Sequence, residues 1–227
     1  MQDWDLDQTV QKLQHPYQGP EEIKTLLRRT LWHDMSAEFH AENLCHHLYG
    51  LGFVYTPEFL GFLKYWRQDE WKHYSWMAAV YGCVFKISEK WLRRTLSDEK
   101  ANFLDLEGFF VDEFTILVLF AYDEILTVLS YQSDRAMYRT VDSGLITDFN
   151  KIIVDESNHF NNACDVILRR HGHRLDEVVT ILTRIQNWER SKKAYGNTFL
   201  LDRRESQAFQ ENLIVQGCDI VRRRLLK

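Results

Sequence analysis

Asp69-Glu70-Trp71-Lys72-His73 and Asp155-Glu156-Ser157-Asn158-His159 decide how this chain is read, because each follows a lone glutamate at the same distance. Thirty residues separate Glu38 from Asp69, and thirty separate Glu124 from Asp155, so one pattern recurs at an offset of 86 residues. Residues three apart share a helix face, which pairs Glu70 with His73 and Glu156 with His159. A helix rises about 1.5 Å per residue, and Glu38 precedes the Gly50-Leu51-Gly52 break by about as many residues as Glu70 follows Pro57. The chain therefore runs roughly 18–20 Å out and the same distance back, placing Glu38 and Glu70 at one level. The same count runs from Glu124 to a turn near residue 140 and back to Glu156. Two such hairpins, face to face, gather four carboxylates and two imidazoles, the ligand set of a di-metal site in a four-helix bundle.

Carboxylate and imidazole suit iron or manganese, and the absence of thiolates argues against zinc and copper. Four buried carboxylates without metal repel, so shifted pKa values or local opening are expected of the empty site. Asp69 and Asp155 sit about 100° around the helix from the adjacent liganding Glu. From there each can accept the N–H of a liganding imidazole across the bundle.

The remaining sequence reads as helices throughout. The first is expected from Pro20-Glu21-Glu22 to Gly50, and the second from Thr56-Pro57-Glu58 to about Phe85, with proline and acidic residues at the starts. A short amphipathic piece covers Ser88 to Leu96. The third long helix is expected from about Leu106 to Tyr138; its apolar run Phe114–Tyr122 marks it as buried. The fourth runs from about Ser143 to Arg170. Two more follow, about Leu175–Lys192 and Glu205–Leu226, joined through Gly196 and Asn197. No linker composition divides the chain, so 1–227 reads as one all-α domain, with a core bundle over about 20–171 and accessory helices over about 173–227.

Composition excludes several classes. The chain has 227 residues, 45% apolar and 27% charged, with three prolines and ten glycines, which is too few of either for a loop-rich β fold. A net charge of −5 gives no case for nucleic-acid binding. The basic cluster Arg222, Arg223, Arg224 and Lys227 reads as a solvated helix end. Cys45, Cys83, Cys164 and Cys218 are scattered with no C-x-x-C pair, so they read as small hydrophobes of a reducing cytoplasm. The opening Met1-Gln2-Asp3-Trp4-Asp5 is no signal peptide, and no stretch reads as a transmembrane span. A cytoplasmic protein is expected.

The twice-repeated Glu…Asp-Glu-x-x-His pattern, over about Thr30 to Arg170, resembles the oxygen-activating di-iron carboxylate superfamily of ferritin-like fold. Its members include acyl-carrier-protein desaturases, p-aminobenzoate N-oxygenases, bacterial multicomponent monooxygenases and ribonucleotide reductase small subunits. The resemblance implies one iron on Glu38, Glu70 and His73, a second on Glu124, Glu156 and His159, and Glu70 and Glu156 as bridges. Manganese is a second candidate for one position. Thr127, one turn beyond Glu124, resembles the pocket threonine of desaturases and hydroxylases, where a hydroxyl relays a proton or holds oxygen; the alternative is a bond back to its own helix. Met77 stands where reductase small subunits carry a radical tyrosine, which counts against radical storage. Lys72 matches the basic residue desaturases place before the liganding His, and Asn158 does not. The chain is also shorter than desaturases and N-oxygenases.

The resemblance thus implies a di-iron enzyme that uses O2 to hydroxylate, desaturate or N-oxygenate a small, mainly apolar substrate. Leu117 and Phe120 on the Glu124 face, with Trp66 and Met77 beside Glu70 and His73, are the expected pocket, and Glu42 is a candidate extra ligand or acid. His40, His46 and His47 are expected mostly at the surface. No flavin, nicotinamide or iron–sulfur motif is present, so electrons must come from a ferredoxin or reductase. By analogy with the desaturases the substrate can be tethered to an acidic carrier protein meeting Arg169, Arg170, Arg174 and the tail arginines. A homodimer is common among such proteins. The rival readings are a ferroxidase or peroxide scavenger, and a quinone hydroxylase at the membrane surface.

Overall fold

Helix α1 (Glu21–Gly50) has proline and two glutamates at its start, and α2 (Pro57–Phe85) is capped by Thr56, whose hydroxyl accepts the Phe59 N–H at 3.3 Å. The computed structural model describes residues 17, 19–142, 144–191, 195–201 and 211–226, without side-chain placement at 211. Ser88 caps the short α3 (Glu89–Ser97) in the same way. A 3-10 turn (Leu104–Phe109) then leads to α4 (Glu113–Val141) and α5 (Leu145–Arg170). A second 3-10 turn (Gly172–Glu177), α6 (Val178–Arg190) and α7 (Glu211–Leu225) complete the described chain, which contains no strand among the described residues.

The third long helix starts later than the sequence suggests. Its apolar pattern extends back to Leu106, but the Asp112 carboxylate accepts the Thr115 N–H at 2.8 Å and nucleates the helix there. The segment before it folds as a separate 3-10 turn. The accessory helices are also shorter: Leu175 lies in a 3-10 turn, and α6 begins at Val178. The expected boundaries at Ser143, Lys192 and Glu205 lie outside the described residues, as do Met1–Asp5 and Lys227.

α1 packs on α2 and α4 on α5 as two hairpins, which meet through α2–α5 and α1–α4 contacts. Every residue from Glu113 to Leu126 is buried, because α6 and α7 cover the face of α4 that the other three long helices leave open. Among the described residues α4 alone is long and apolar enough to cross a membrane. Its most apolar window is 89% buried, the pattern of a core helix. Cys45, Cys164 and Cys218 are buried, Cys83 is half-buried, and all four are free thiols.

A polar clamp fixes the hairpins at one end. Glu113, at the start of α4, accepts the Thr56 N–H at 2.6 Å, the Thr56 hydroxyl at 2.7 Å and His171 Nε2 at 3.0 Å. One buried carboxylate thus joins the α1–α2 connection, the first turn of α4 and the end of α5. Replacing Glu113 by Ala strands these donors and is expected to cost about 2–4 kcal/mol. Chemical denaturation reads it; a loss below about 0.5 kcal/mol, the usual surface value, would show that the clamp is not structural.

Candidate metal centre

Six candidate ligand side chains converge from the four long helices: Glu38 on α1, Glu70 and His73 on α2, Glu124 on α4, and Glu156 and His159 on α5, all buried. Two overlapping groups form. Glu38, Glu70, His73 and Glu156 make one, and Glu70, Glu124, Glu156 and His159 the other, with the ligand atoms of each within 4.8 Å of one another. Glu70 and Glu156 belong to both groups, the position of bridging carboxylates.

The orientation of each side chain fits a pair of cations. His73 Nδ1 lies 3.1 Å from Glu156 Oε1, 3.4 Å from Glu70 Oε2 and 3.6 Å from Glu38 Oε2. His159 Nδ1 lies 3.1 Å from Glu70 Oε1 and 3.4 Å from Glu124 Oε2. These five carboxylate oxygens are buried and accept no hydrogen bond of good geometry. Buried acceptors normally find donors, and this convergence makes a group of ligand atoms that could hold a cation. The oxygens facing away are satisfied: Tyr131 donates to Glu38 Oε1, and Trp66 Nε1 donates to Glu124 Oε1 at 2.8 Å. Glu38 and Glu124 therefore each present one oxygen inward, whereas both oxygens of Glu70 face the imidazoles.

The aspartates stand behind the histidines, crossed between helices. His159 Nε2 is 3.4 Å from Asp69 of α2, and His73 Nε2 is 3.6 Å from Asp155 of α5. These contacts aim each Nδ1 inward. Asp69 also accepts Lys72 Nζ at 2.7 Å. Burial raises the Asp69 carboxyl, but His159 and Lys72 outweigh it and hold it down at about 2.

Electrostatics divides the cluster. Burial, then the charges of Glu156 and Glu38, push Glu70 well above the usual carboxylate range. Burial and Glu156 push Glu124 up to about 8. Burial works against the charged form of Glu156 too, but His73 and His159 overcome it and keep this carboxylate ionised. Burial likewise disfavours charge on the rings. Glu156, Asp155 and Glu38 nevertheless raise His73, and Asp69, Glu124, Glu156 and Glu70 raise His159, both well above the usual imidazole value.

The remaining expected residues divide. Trp66 is a buried partner of Glu124, and Phe120 and Phe199 pack edge-on against its ring at 5.0 and 4.8 Å. Leu117 and Met77 are fully buried core and border neither cleft described below, because their stretches of α4 and α2 are covered on every side. The Thr127 hydroxyl donates to the Asp123 carbonyl of its own helix at 3.1 Å. Glu42 is not placed as a ligand: both oxygens are clamped by Arg67, at 2.5 and 2.6 Å, and His46 stands 3.1 Å away. His40 departs from the surface expectation. It is buried between Ser36, Tyr195 and Glu99, and burial lowers its ring to about 4. Of the three, His46 alone is exposed, since His47 is half-buried and stacks on Phe103. Several arginines assigned to a carrier already pair within the fold: Arg170 with Glu58, Arg174 with Asp112 and Glu177, and Arg224 with Asp165.

Sequence reasoning missed Tyr131 and the segment 195–201. The latter folds over Trp66 with Asn197, Phe199 and Leu201 at positive φ (55°, 70° and 53°). Such backbone costs on the order of 1–3 kcal/mol per residue and persists only when surroundings fix it. Here the Leu201 N–H is held by Asp123 Oδ1 at 2.8 Å, and the Tyr195 hydroxyl accepts the Phe199 N–H at 2.9 Å.

Two clefts approach the centre. One, about 860 Å³, lies between α1 and α2 and has Glu38 on its lining. The other, about 430 Å³, lies between α2 and α5 and reaches Asp69, Asp155 and His159. Comparisons with protein-family models, with curated proteins and with solved structures give no match for this chain.

Without metal, Glu70, Glu124, His73 and His159 bind protons more tightly in the folded chain than in the unfolded one. The folded state then holds more protons above the unfolded carboxylate range, so stability falls as pH rises from about 5 to about 8. Melts of chelator-treated protein should show this decline, and Glu124→Gln should shallow it. A melting temperature that is flat or rises across the window would contradict the charge assignment.

Proposed function

We propose that this chain is a non-haem di-iron enzyme of ferritin-like bundle fold that uses O2 to oxidise a small organic substrate. The observation that carries the reading is the overlap of the two ligand groups through Glu70 and Glu156. Four oxygen-donating carboxylates and two imidazoles, without a thiolate, match iron, with manganese a second candidate at one position. Two ferrous ions, when bound, supply the electrons and Lewis acidity for dioxygen activation.

The chain's own residues provide the setting. Asp69 and Asp155 fix which ring nitrogen of each histidine faces inward, and Tyr131 and Trp66 fix which oxygen of Glu38 and Glu124 does so. Residue burial around the cluster keeps bulk water out and makes its fixed charges count for more. The raised carboxyls of Glu70 and Glu124 are protons that cations must displace, so ferrous affinity should increase with pH up to about 8. The reading requires an external ferredoxin or reductase, and hydroxylation, desaturation and N-oxygenation all fall within it.

Ferrous titration followed by rapid mixing with O2 tests this. The wild type should bind two irons per chain and give a transient visible absorption band after mixing. Glu38→Ala and Glu124→Ala should each lose one iron, whereas Glu70→Ala or Glu156→Ala should weaken both positions. Two irons that pass directly to mineralised ferric product would instead favour iron handling. Failure to bind two would overturn the reading.

A further inference from the structure

The two clefts meet the cluster from different sides. The α2–α5 cleft ends at the Asp69, Asp155 and His159 side chains, which are occupied in aiming the imidazoles. The α1–α2 cleft borders Glu38, so a molecule inside it lies beside one of the converging residues without displacing an aspartate–histidine contact. Its volume, about 860 Å³, is ample for a small organic molecule.

Its lining has two chemical parts. Phe39 and Trp71 form an aromatic wall braced by Tyr74, with ring centroids 5.1 and 5.2 Å from that ring. Arg93 lies 4.9 Å over the Trp71 ring, and the wall still leaves Trp71 42% exposed. The other part is charged: Lys64, Arg67 and Lys72 line the cleft together with the Glu42 carboxylate. Lys72 is held by Asp69, and Arg67 gives its Nε and Nη2 to Glu42. Arg67 keeps Nη1 outside that clamp. Lys64 is exposed and has no carboxylate within ion-pair distance among the described residues; its ammonium sits 5.7 Å from the Tyr65 ring. One cation without a carboxylate partner, Lys64, and one spare N–H donor, Arg67 Nη1, are therefore left for an incoming anion.

We infer that the α1–α2 cleft is the substrate site of the oxidation proposed above, and that its ligand is a small amphipathic anion. A carboxylate or phosphate head lies at Lys64 and Arg67, and a flat apolar body lies along Phe39 and Trp71 against Glu38. This rests on the di-iron reading for its chemistry, but the anion preference is a property of the cleft alone. It also moves the pocket away from the Leu117 and Met77 core, and from Trp66, which borders the α2–α5 cleft, to the α1–α2 side.

Calorimetric titration of the full chain, chelator-treated and Mn(II)-loaded, with three matched probes tests it: 3-phenylpropanoate, 3-phenylpropyl phosphate and 3-phenylpropan-1-ol. At least one anion should bind about tenfold or more tightly than the alcohol, the value of one charge-assisted contact, and the better anion identifies the head group. Lys64→Ala should remove that advantage and leave the alcohol unchanged. Gln68→Trp, an exposed position on the cleft lining, should block all three probes while the melting temperature and metal stoichiometry hold. Equal binding of anions and alcohol, an unaffected Lys64→Ala variant, or no binding of any probe would overturn the proposal. Because metal stoichiometry is measured separately, failure of the di-iron reading would be distinguishable from failure of this site.

Discussion

Four buried carboxylates pointed at one another are the constraint on which the rest of this structure depends. At the separations within each ligand group, two ionised carboxylates repel by about 3–4 kcal/mol even with strong protein screening. The chain meets this with two imidazoles between them and with protons on Glu70 and Glu124. Every other device keeps that arrangement in register. Asp69 and Asp155 fix the rings, Tyr131 and Trp66 fix the outer glutamates, and the Glu113 clamp ties together the helix ends that set the levels. A cation pair held by these side chains would remove the repulsion outright.

Two helical hairpins of equal register give the ligand set a two-fold character, yet its surroundings are not two-fold. Glu38 is held by a tyrosine from α4, and Glu124 by a tryptophan from α2 backed by Phe120 and Phe199. A large cleft ends on Glu38, whereas Glu124 lies under the strained segment 195–201. The duplicated side chains thus have unequal neighbours, and a different cleft approaches each group: one borders Glu38, the other His159.

The convergence of the six side chains is legible in the sequence because helical spacing fixes it: three residues put Glu70 and His73 on one face, and an equal count to each turn levels the hairpins. The crossed aspartates followed from their place beside the ligands. The partners of Glu38 and Glu124 were not legible, because Tyr131 and Trp66 act across 93 and 58 residues and no periodicity links such pairs. Leu117 and Met77 share the ligand faces but fall on stretches packed on all sides, a distinction that depends on α6 and α7 and on neighbouring helices. The α4 start is not legible, because apolar periodicity continues through the 3-10 turn and the Asp112 cap is what sets it. The burial of His40 is likewise not legible, because one of its partners, Tyr195, lies 155 positions away.

Anomalous diffraction at the iron edge from crystals loaded anaerobically with ferrous ion tests the central claim most directly. The account requires two peaks roughly 3.5–4 Å apart between Glu70 and Glu156, with His73 Nδ1 and His159 Nδ1 each directed at one of them. A single peak, or peaks elsewhere on the protein with the six side chains undisturbed, would contradict it.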